Sequence, residues 1–288
     1  MESKNLSPKQ VAAAFGVSES SLKRWCDNGK IKFSKTLGGH RRINPIDAID
    51  FIVRNKTRSL VNPSVLGLPE ISLEPNKSLD EVSAAFEQSL RTADEKGCRE
   101  TIVGAYVNGH KLSSIVDSVI SKPLSNIGVS WACEKMEIYK ERVACEICVK
   151  IIHELRALQP TAQADAPLAI GGTTSGDHFT LPSRVVELQF AHLGWRTRSL
   201  GCNLPFDELV KAVFEFRPKL FWLSVSHFQD EQIFIDQMNQ FAEQLPPDLA
   251  FVVGGSGLND SIRKSINNAI FCENIQQLET YVSSISVI

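Results

Sequence analysis

Long hydrophobic runs are missing from this chain of 288 residues. No stretch reaches the roughly 18 to 20 consecutive apolar residues that a membrane span needs, and the opening MESKNLSPKQ holds no apolar signal core. The expectation is a soluble, cytoplasmic protein with no membrane partner. A disulfide framework is also missing: the cysteines, at 26, 98, 133, 145, 148, 202 and 272, fall at irregular spacings, which fits a reducing compartment. Cys145 and Cys148 form a CxxC without a second pair, and inside the helical pattern RVACEICVKII they read as half-buried helix residues rather than a metal or redox site. Paired catalytic carboxylates and a nucleophile-base set are absent, so no enzyme is expected. The GGSG beginning at Gly254 lacks the spacing of a dinucleotide fingerprint.

What is present is unevenly charged. Residues 1–60 hold twelve Lys/Arg and five Asp/Glu, a net charge of +7, which leaves nineteen against twenty-eight, a net −9, for the rest. A basic head on an acidic body suits a nucleic-acid-binding domain joined to something else. Within that head, Ser7 is a good N-cap and Pro8 suits the first helical position, Gly16 closes the helix, and Ser18 caps a second one running to Gly29. Val11, Ala14, Phe15, Val17, Leu22 and Trp25 provide the contact between the two helices, and Ser20, Ser21, Lys23 and Arg24 fall on the outer surface of the second. Helix, tight turn and polar second helix predict a helix-turn-helix, whose second helix enters the major groove. A hairpin-like wing follows, with Lys35, His40, Arg41 and Arg42 around a Gly38-Gly39 turn that lets backbone approach a phosphate closely.

The chain then divides by composition. Residues 1–58 are the head; 59–78, with Pro63, Pro69 and Pro75, read as a linker able to hold two bodies apart. Residues 79–160 repeat apolar positions at spacings of three and four, predicting a four-helix bundle. Residues 161–288 alternate short apolar strands (LAIGGTT, WRTRSLG, LFWLSVS, LAFVVGGSG) with amphipathic helices, predicting a doubly wound parallel sheet. The fold class is thus multidomain, α and α/β. Ligands in such sheets sit at the carboxyl ends of the strands, where TSGDHFTLP, GCNLP, SVSHF and GGSGL make the loops.

Through LKRWCDNGKI and GGHRRI, about 55 residues of the head resemble the winged helix-turn-helix domain of MerR-type regulators. That resemblance implies DNA contacts from Ser21, Lys23, Arg24, His40, Arg41 and Arg42. Over about 270 residues, head, bundle and Rossmann-like sheet together resemble the CarH-type light-responsive repressors, whose bundle and sheet hold cobalamin. The family's bundle pattern places Trp131 and Glu141, with Arg142 in place of a His and Ala132 in place of the His that follows the Trp. Its Glu/Asp-x-His-x-x-Gly motif falls on Asp177, Phe179 and Pro182, so Phe179 stands where the cobalt-ligating His would be. A one-residue slip of that loop would bring in His178 as the metal ligand. Ser224, Ser226, Gly254 and Gly255 match the positions that line the nucleotide-tail pocket.

Beside the resemblance, several of these residues keep two readings. Trp131 is either bundle core or a flat cover for a macrocycle. Cys133 is either inert or the attachment point of a linear tetrapyrrole or a haem ligand. Arg142 pairs with a propionate or with Glu141 or Glu137, and His227 faces a ligand or solvent. The function expected is a DNA-binding transcriptional regulator whose tetrapyrrole-binding-like module takes biliverdin, haem or cobalamin, senses light or a ligand, and controls oligomerisation and operator binding. The alternative is a cofactor-free regulator whose module is a scaffold for a regulatory protein. MerR-type heads act on two-fold related sites in duplex operators, so a homodimer or homotetramer is expected.

Overall fold

The computed structural model describes residues 5–55, 60–71, 77–132 and 137–285. The chain forms two compact units, Met1–Pro160 and Thr161–Ile288.

Local signals build the start of the first unit. Helix α1 (Pro8–Phe15) opens with a capping box in which the Ser7 hydroxyl accepts from the Gln10 amide at 3.3 Å and the Gln10 side chain accepts from the Ser7 amide at 2.9 Å. It closes at Gly16, whose φ of 63° is left-handed and therefore favours glycine. Helix α2 (Glu19–Asp27) is capped by Ser18. Strands β1 (Ser34–Lys35) and β2 (Arg41–Arg42) form an antiparallel hairpin with Ser34 opposite Arg42, and α3 (Pro45–Arg54) follows an Asn44 cap. The core beneath is aromatic: the Phe51 ring lies 6.0 Å from Phe15 and 5.2 Å from Trp25, centroid to centroid. Each such buried ring contributes about 1.5–3 kcal/mol over an exposed one.

The proline-rich join does not hang free. The amides of Val61 and Asn62 donate to the Ala14 carbonyl at 2.8 and 3.1 Å, a 3-10 turn covers Pro63–Leu66, and Leu60, Leu66 and Leu68 are buried. Its prolines and sparse charge look like a spacer. Its leucines decide the outcome, because they close over the end of α1, and a Cβ on Gly16 would meet the Val61 side chain at 2.6 Å.

The helical region comprises α4 (Leu79–Arg91), α5 (Glu95–Val107), α6 (Leu112–Ser114), α7 (Lys122–Ala132) and α8 (Ile138–Ala157). Between α6 and α7 the backbone is π-helical over Ile115–Ser121. Pro123 lies just beyond, where it offers no amide and its ring crowds the carbonyl four residues back, so a wider turn relieves the clash that an uninterrupted α-helix would carry. Phe86, Ile102, Ile115, Val119, Ile151 and Leu155 are among the fully buried residues of this region. Arg99 forks onto Glu154, and the Tyr106 hydroxyl donates to Gln159 at 3.1 Å in the interior. Helix α3 packs on α5, so head and helical region are continuous. No helix among the described residues is long and apolar enough to cross a membrane.

The second unit is a five-stranded, all-parallel sheet of β3 (Leu168–Thr174), β4 (Arg196–Leu204), β5 (Leu220–Ser224), β6 (Ala250–Gly254) and β7 (Ile270–Phe271), in the order β4-β3-β5-β6-β7. Helices α9 (Leu181–His192), α10 (Phe206–Phe216), α11 (Glu231–Gln244), α12 (Asp260–Ser265) and α13 (Ile275–Ile285) alternate with the strands or come after the last. The sequence predicts the first four strands and misses β7, whose two residues are too short to show a pattern. Ile170, Val213, Phe221, Phe241 and Phe251 share one core cluster. Trp222 is buried elsewhere: it stacks on Phe190 and donates its indole N–H to the Ser183 hydroxyl at 3.0 Å. A Cβ on Gly171 would run into the Trp222 carbonyl and ring. Because β3 sits between β4 and β5, the chain reverses direction across the sheet there, and the loops after β3 and β5 meet at the switch point.

Candidate DNA interface and the loops at the sheet edge

On the head, seven residues carry the expectation of DNA contact, and the structure divides them. Arg24 on α2, Lys35 on β1 and His40 after the turn are exposed, and among the described residues neither Arg24 nor Lys35 is paired with a carboxylate. Lys23 is exposed but reaches Glu19 at 2.7 Å, an i,i+4 pair that water and salt screen. That hydrogen bond lowers the pKa of the Glu19 carboxyl. Ser21 is half-buried and belongs to the cap of α2, its amide donating to the Ser18 hydroxyl at 3.2 Å. Arg42 is half-buried in β2, where its carbonyl accepts from the Ser34 hydroxyl at 3.4 Å.

Arg41 differs most from its expected role. Its guanidinium donates to Asp27 at 2.6 Å and lies 5.6 Å from the centre of the Phe33 ring. Asp27 ends α2 and Arg41 begins β2, so the pair ties helix to hairpin. Asp27 does not stand out in the sequence, since fourteen residues separate the partners and no local pattern links them.

At the sheet edge one charged loop residue is enclosed. Asp177 has no exposed surface. One carboxylate oxygen accepts from the amides of Ser226 at 2.6 Å and His227 at 3.3 Å, and the other accepts from the Phe179 amide at 3.0 Å. Its carbonyl accepts from the Thr173 hydroxyl at 2.6 Å and the Asn203 amide at 3.1 Å, and the Asn203 side chain accepts from the Gly176 amide at 2.8 Å. The loop after β3 is therefore clasped to the loop after β5 and to β4. Sequence reasoning places Asp177 on a cofactor; in the structure its carboxyl is buried and accepts from three backbone amides, each such bond worth about 1 kcal/mol or more.

The neighbouring positions behave in the same way. Gly255 has a φ of +125°, and its Cβ would collide with the Val225 backbone; a Cβ on Gly254 would lie 2.7 Å from the Cys272 carbonyl. Both glycines are required by the protein's own close packing. Ser224 is buried, and the buried hydroxyls of Ser226 and Thr174 have no hydrogen-bond partner among the described residues. His178 and His227 are exposed, and Phe179, which the resemblance aligns with the ligating His, is 40% exposed. A phenyl ring has no lone pair for cobalt, so these residues do not fit a His-ligated cobalamin at Phe179. No group of three or more His, Cys, Asp or Glu gathers for a metal among the described residues.

On the helical region Glu141 accepts from the Cys145 thiol at 3.4 Å and forms an ion pair with Arg142 at 3.4 Å. Burial, then the nearby Glu141, pushes the Cys145 thiol up to about 12, and burial raises Cys148 further. Both thiols are thereby held protonated at neutral pH, the form that reacts slowly. Cys133 and the side chain of Trp131 lie outside the described residues.

Residues 6–51 match the helix-turn-helix domain family. No curated protein matches the chain. Among solved structures, the monomethylamine corrinoid protein of Methanosarcina barkeri aligns over 72% of this chain and 100% of its own, at 16% identity and a TM-score of 0.62. A novel cobalamin-binding protein from Desulfitobacterium hafniense DCB-2 aligns over 70% of this chain and 97% of its own, at 18% identity and a TM-score of 0.37. The chain thus carries a helix-turn-helix DNA-binding domain at its start, and its helical region and parallel sheet share the fold of the Methanosarcina barkeri protein.

Proposed function

We propose that the protein is a DNA-binding transcriptional regulator of MerR type, with a winged helix-turn-helix joined to a four-helix bundle and a sheet module that regulate it. The observation that carries this reading is the helix-hairpin pair: α2 and the hairpin are tied by Asp27 and Arg41 and present Arg24 and Lys35 without a carboxylate partner among the described residues. Phosphate and base edges are the ligands that unpaired guanidinium and ammonium groups on such a scaffold recognise. A two-fold related operator would be engaged by a homodimer or homotetramer. No enzymatic step is assigned to the chain.

For the sheet module we propose a sensory role with light or a ligand as the signal, a tetrapyrrole other than His-ligated cobalamin being the class of cofactor to test. The alternative, a cofactor-free scaffold engaged by a regulatory protein, draws support from the closed loop at Asp177. Duplex binding by fluorescence anisotropy at several salt concentrations tests the head. Absorption spectra in the dark and after illumination, taken after incubation with adenosylcobalamin, biliverdin or haem and desalting, test the module. A retained biliverdin or haem band supports the sensory reading. A retained cobalamin band shows that Phe179 does not prevent binding, and a colourless protein leaves the scaffold.

A further inference from the structure

The positions expected to line a nucleotide tail lie at the carboxyl ends of β5 and β6, and the chain's own backbone fills the space between them. The Val225 amide donates to the Gly254 carbonyl at 2.8 Å, and the Gly257 amide donates to the Val225 carbonyl at 3.0 Å. The loop after β6 is thereby sewn onto the residues after β5. Glycine makes the closeness possible: a Cβ on Gly255 would strike the Val225 backbone, and one on Gly257 would lie 3.0 Å from the Ser226 carbonyl carbon. From the other side Asp177 takes the Ser226 and His227 amides, so the residues after β5 are gripped by the loops after β3 and β6 alike. The neighbouring strand ends are also close, with Gly172 against the Gly201 carbonyl and Gly254 against that of Cys272.

Ser226 shows what this closure does. Its hydroxyl is buried and has no hydrogen-bond partner among the described residues, as is true of Thr174 at the end of β3. An unpaired buried hydroxyl marks a ligand site when it faces open space. Here the loops on both sides of Ser226 are bonded to its own backbone and to that of Val225, so the hydroxyl is left unpaired by the chain closing on itself. Resting on the tetrapyrrole reading above, we infer that this edge is sealed against a nucleotide tail, which restricts the module's ligands to tetrapyrroles that are held without one. Haem and biliverdin belong to that class, and each offers only its ring and its propionates for recognition. Gly255 and Gly257 then act as a closure that sets specificity by exclusion, where the resemblance assigns glycine the task of making room.

Two measurements on the full-length chain test the seal. In the first, the protein is titrated with hydroxocobalamin and with aquacobinamide, which share corrin ring and cobalt and differ in the nucleotide tail, and the absorption bands are followed. Affinities within about threefold of each other are expected; because burying one methylene alone changes affinity about fourfold, a tail that found a pocket would favour cobalamin by about tenfold or more. The second needs no ligand: Ser226→Cys is treated with iodoacetamide and its labelling followed by peptide mass spectrometry. A sealed edge makes that labelling at least about tenfold slower than in the urea-unfolded chain, since the thiol reacts only when the loops open. Cobalamin preferred by about tenfold or more, or Ser226→Cys labelled as fast as the unfolded chain, overturns the seal and leaves the sensory reading standing. Haem or biliverdin retained where both corrinoids wash away supports it. A protein that retains no tetrapyrrole removes the sensory reading and the ligand class with it, while the labelling rate still decides the seal.

Discussion

The head and the sheet edge both present loops rich in glycine, serine and charge, yet the structure uses them in opposite ways. Around the hairpin, Arg24, Lys35 and His40 project into solvent and Gly39 borders open space. Around the sheet edge, Asp177 is buried among amides and Gly255 is pressed against the Val225 backbone. The same residue types thus make a surface in one place and a clasp in the other. What separates them is whether the donors of a facing loop come within hydrogen-bond distance, which composition does not reveal.

Removing the clasp gives the largest expected effect. Asp177→Ala leaves three amides without their acceptor and destabilises residues 161–288 by about 3 kcal/mol, seen as a lower urea midpoint in tryptophan fluorescence, to which that unit contributes Trp195 and Trp222. Duplex binding by the head changes by less than about twofold, since Asp177 and the head belong to separate compact units. Unchanged stability would mean that the loop is held by something else.

Next comes Arg24→Ala, expected to weaken duplex binding by roughly 1–3 kcal/mol and, where Arg24 meets a phosphate, to reduce the salt slope by about 1. Its unfolding midpoint stays that of the wild type, because the side chain is exposed and unpaired with any described carboxylate. A folding defect with intact binding would invert the contrast between the two regions.

Breaking the tie with Asp27→Ala costs about 0–1 kcal/mol of stability, since the pair is half exposed. Duplex binding falls by more than that stability loss accounts for, because hairpin and α2 are no longer held in one geometry; equal effects on both would remove the positioning role.

The last effect is one of pH, small near neutrality and growing only at alkaline pH. Burial holds the Cys98 and Cys145 thiols near 12, well above an ordinary thiol. The unfolded chain therefore loses these protons first, and stability falls as pH rises from about 8.5 toward 12. Alkylation by iodoacetamide of either thiol is expected to stay slow through pH 9, whereas an exposed thiol accelerates across that range; fast modification at pH 8 would show them to be accessible.

Much of the head is legible in the sequence because its signals are local. Ser7, Gly16 and Ser18 mark helix ends within a few residues of what they cap, and the strands β3, β5 and β6 announce themselves as apolar runs. The rest depends on partners far apart in sequence. Asp177 meets amides almost fifty residues away, and Arg41 finds Asp27 across a turn. The proline-rich join misleads for a related reason: its leucines matter only once α1 stands beside them. The π-helical turn before Pro123 is legible afterwards, since a proline inside a helical pattern requires some local adjustment.

The anchoring of residues 60–71 on the end of α1 has a mechanical consequence. Two hydrogen bonds to one carbonyl and the Val61 side chain over Gly16 leave this stretch no slack, so force arriving along the chain from beyond Leu60 is delivered to α1 through a short, stiff attachment. Whatever turns residues 60–71 therefore turns α1 with them.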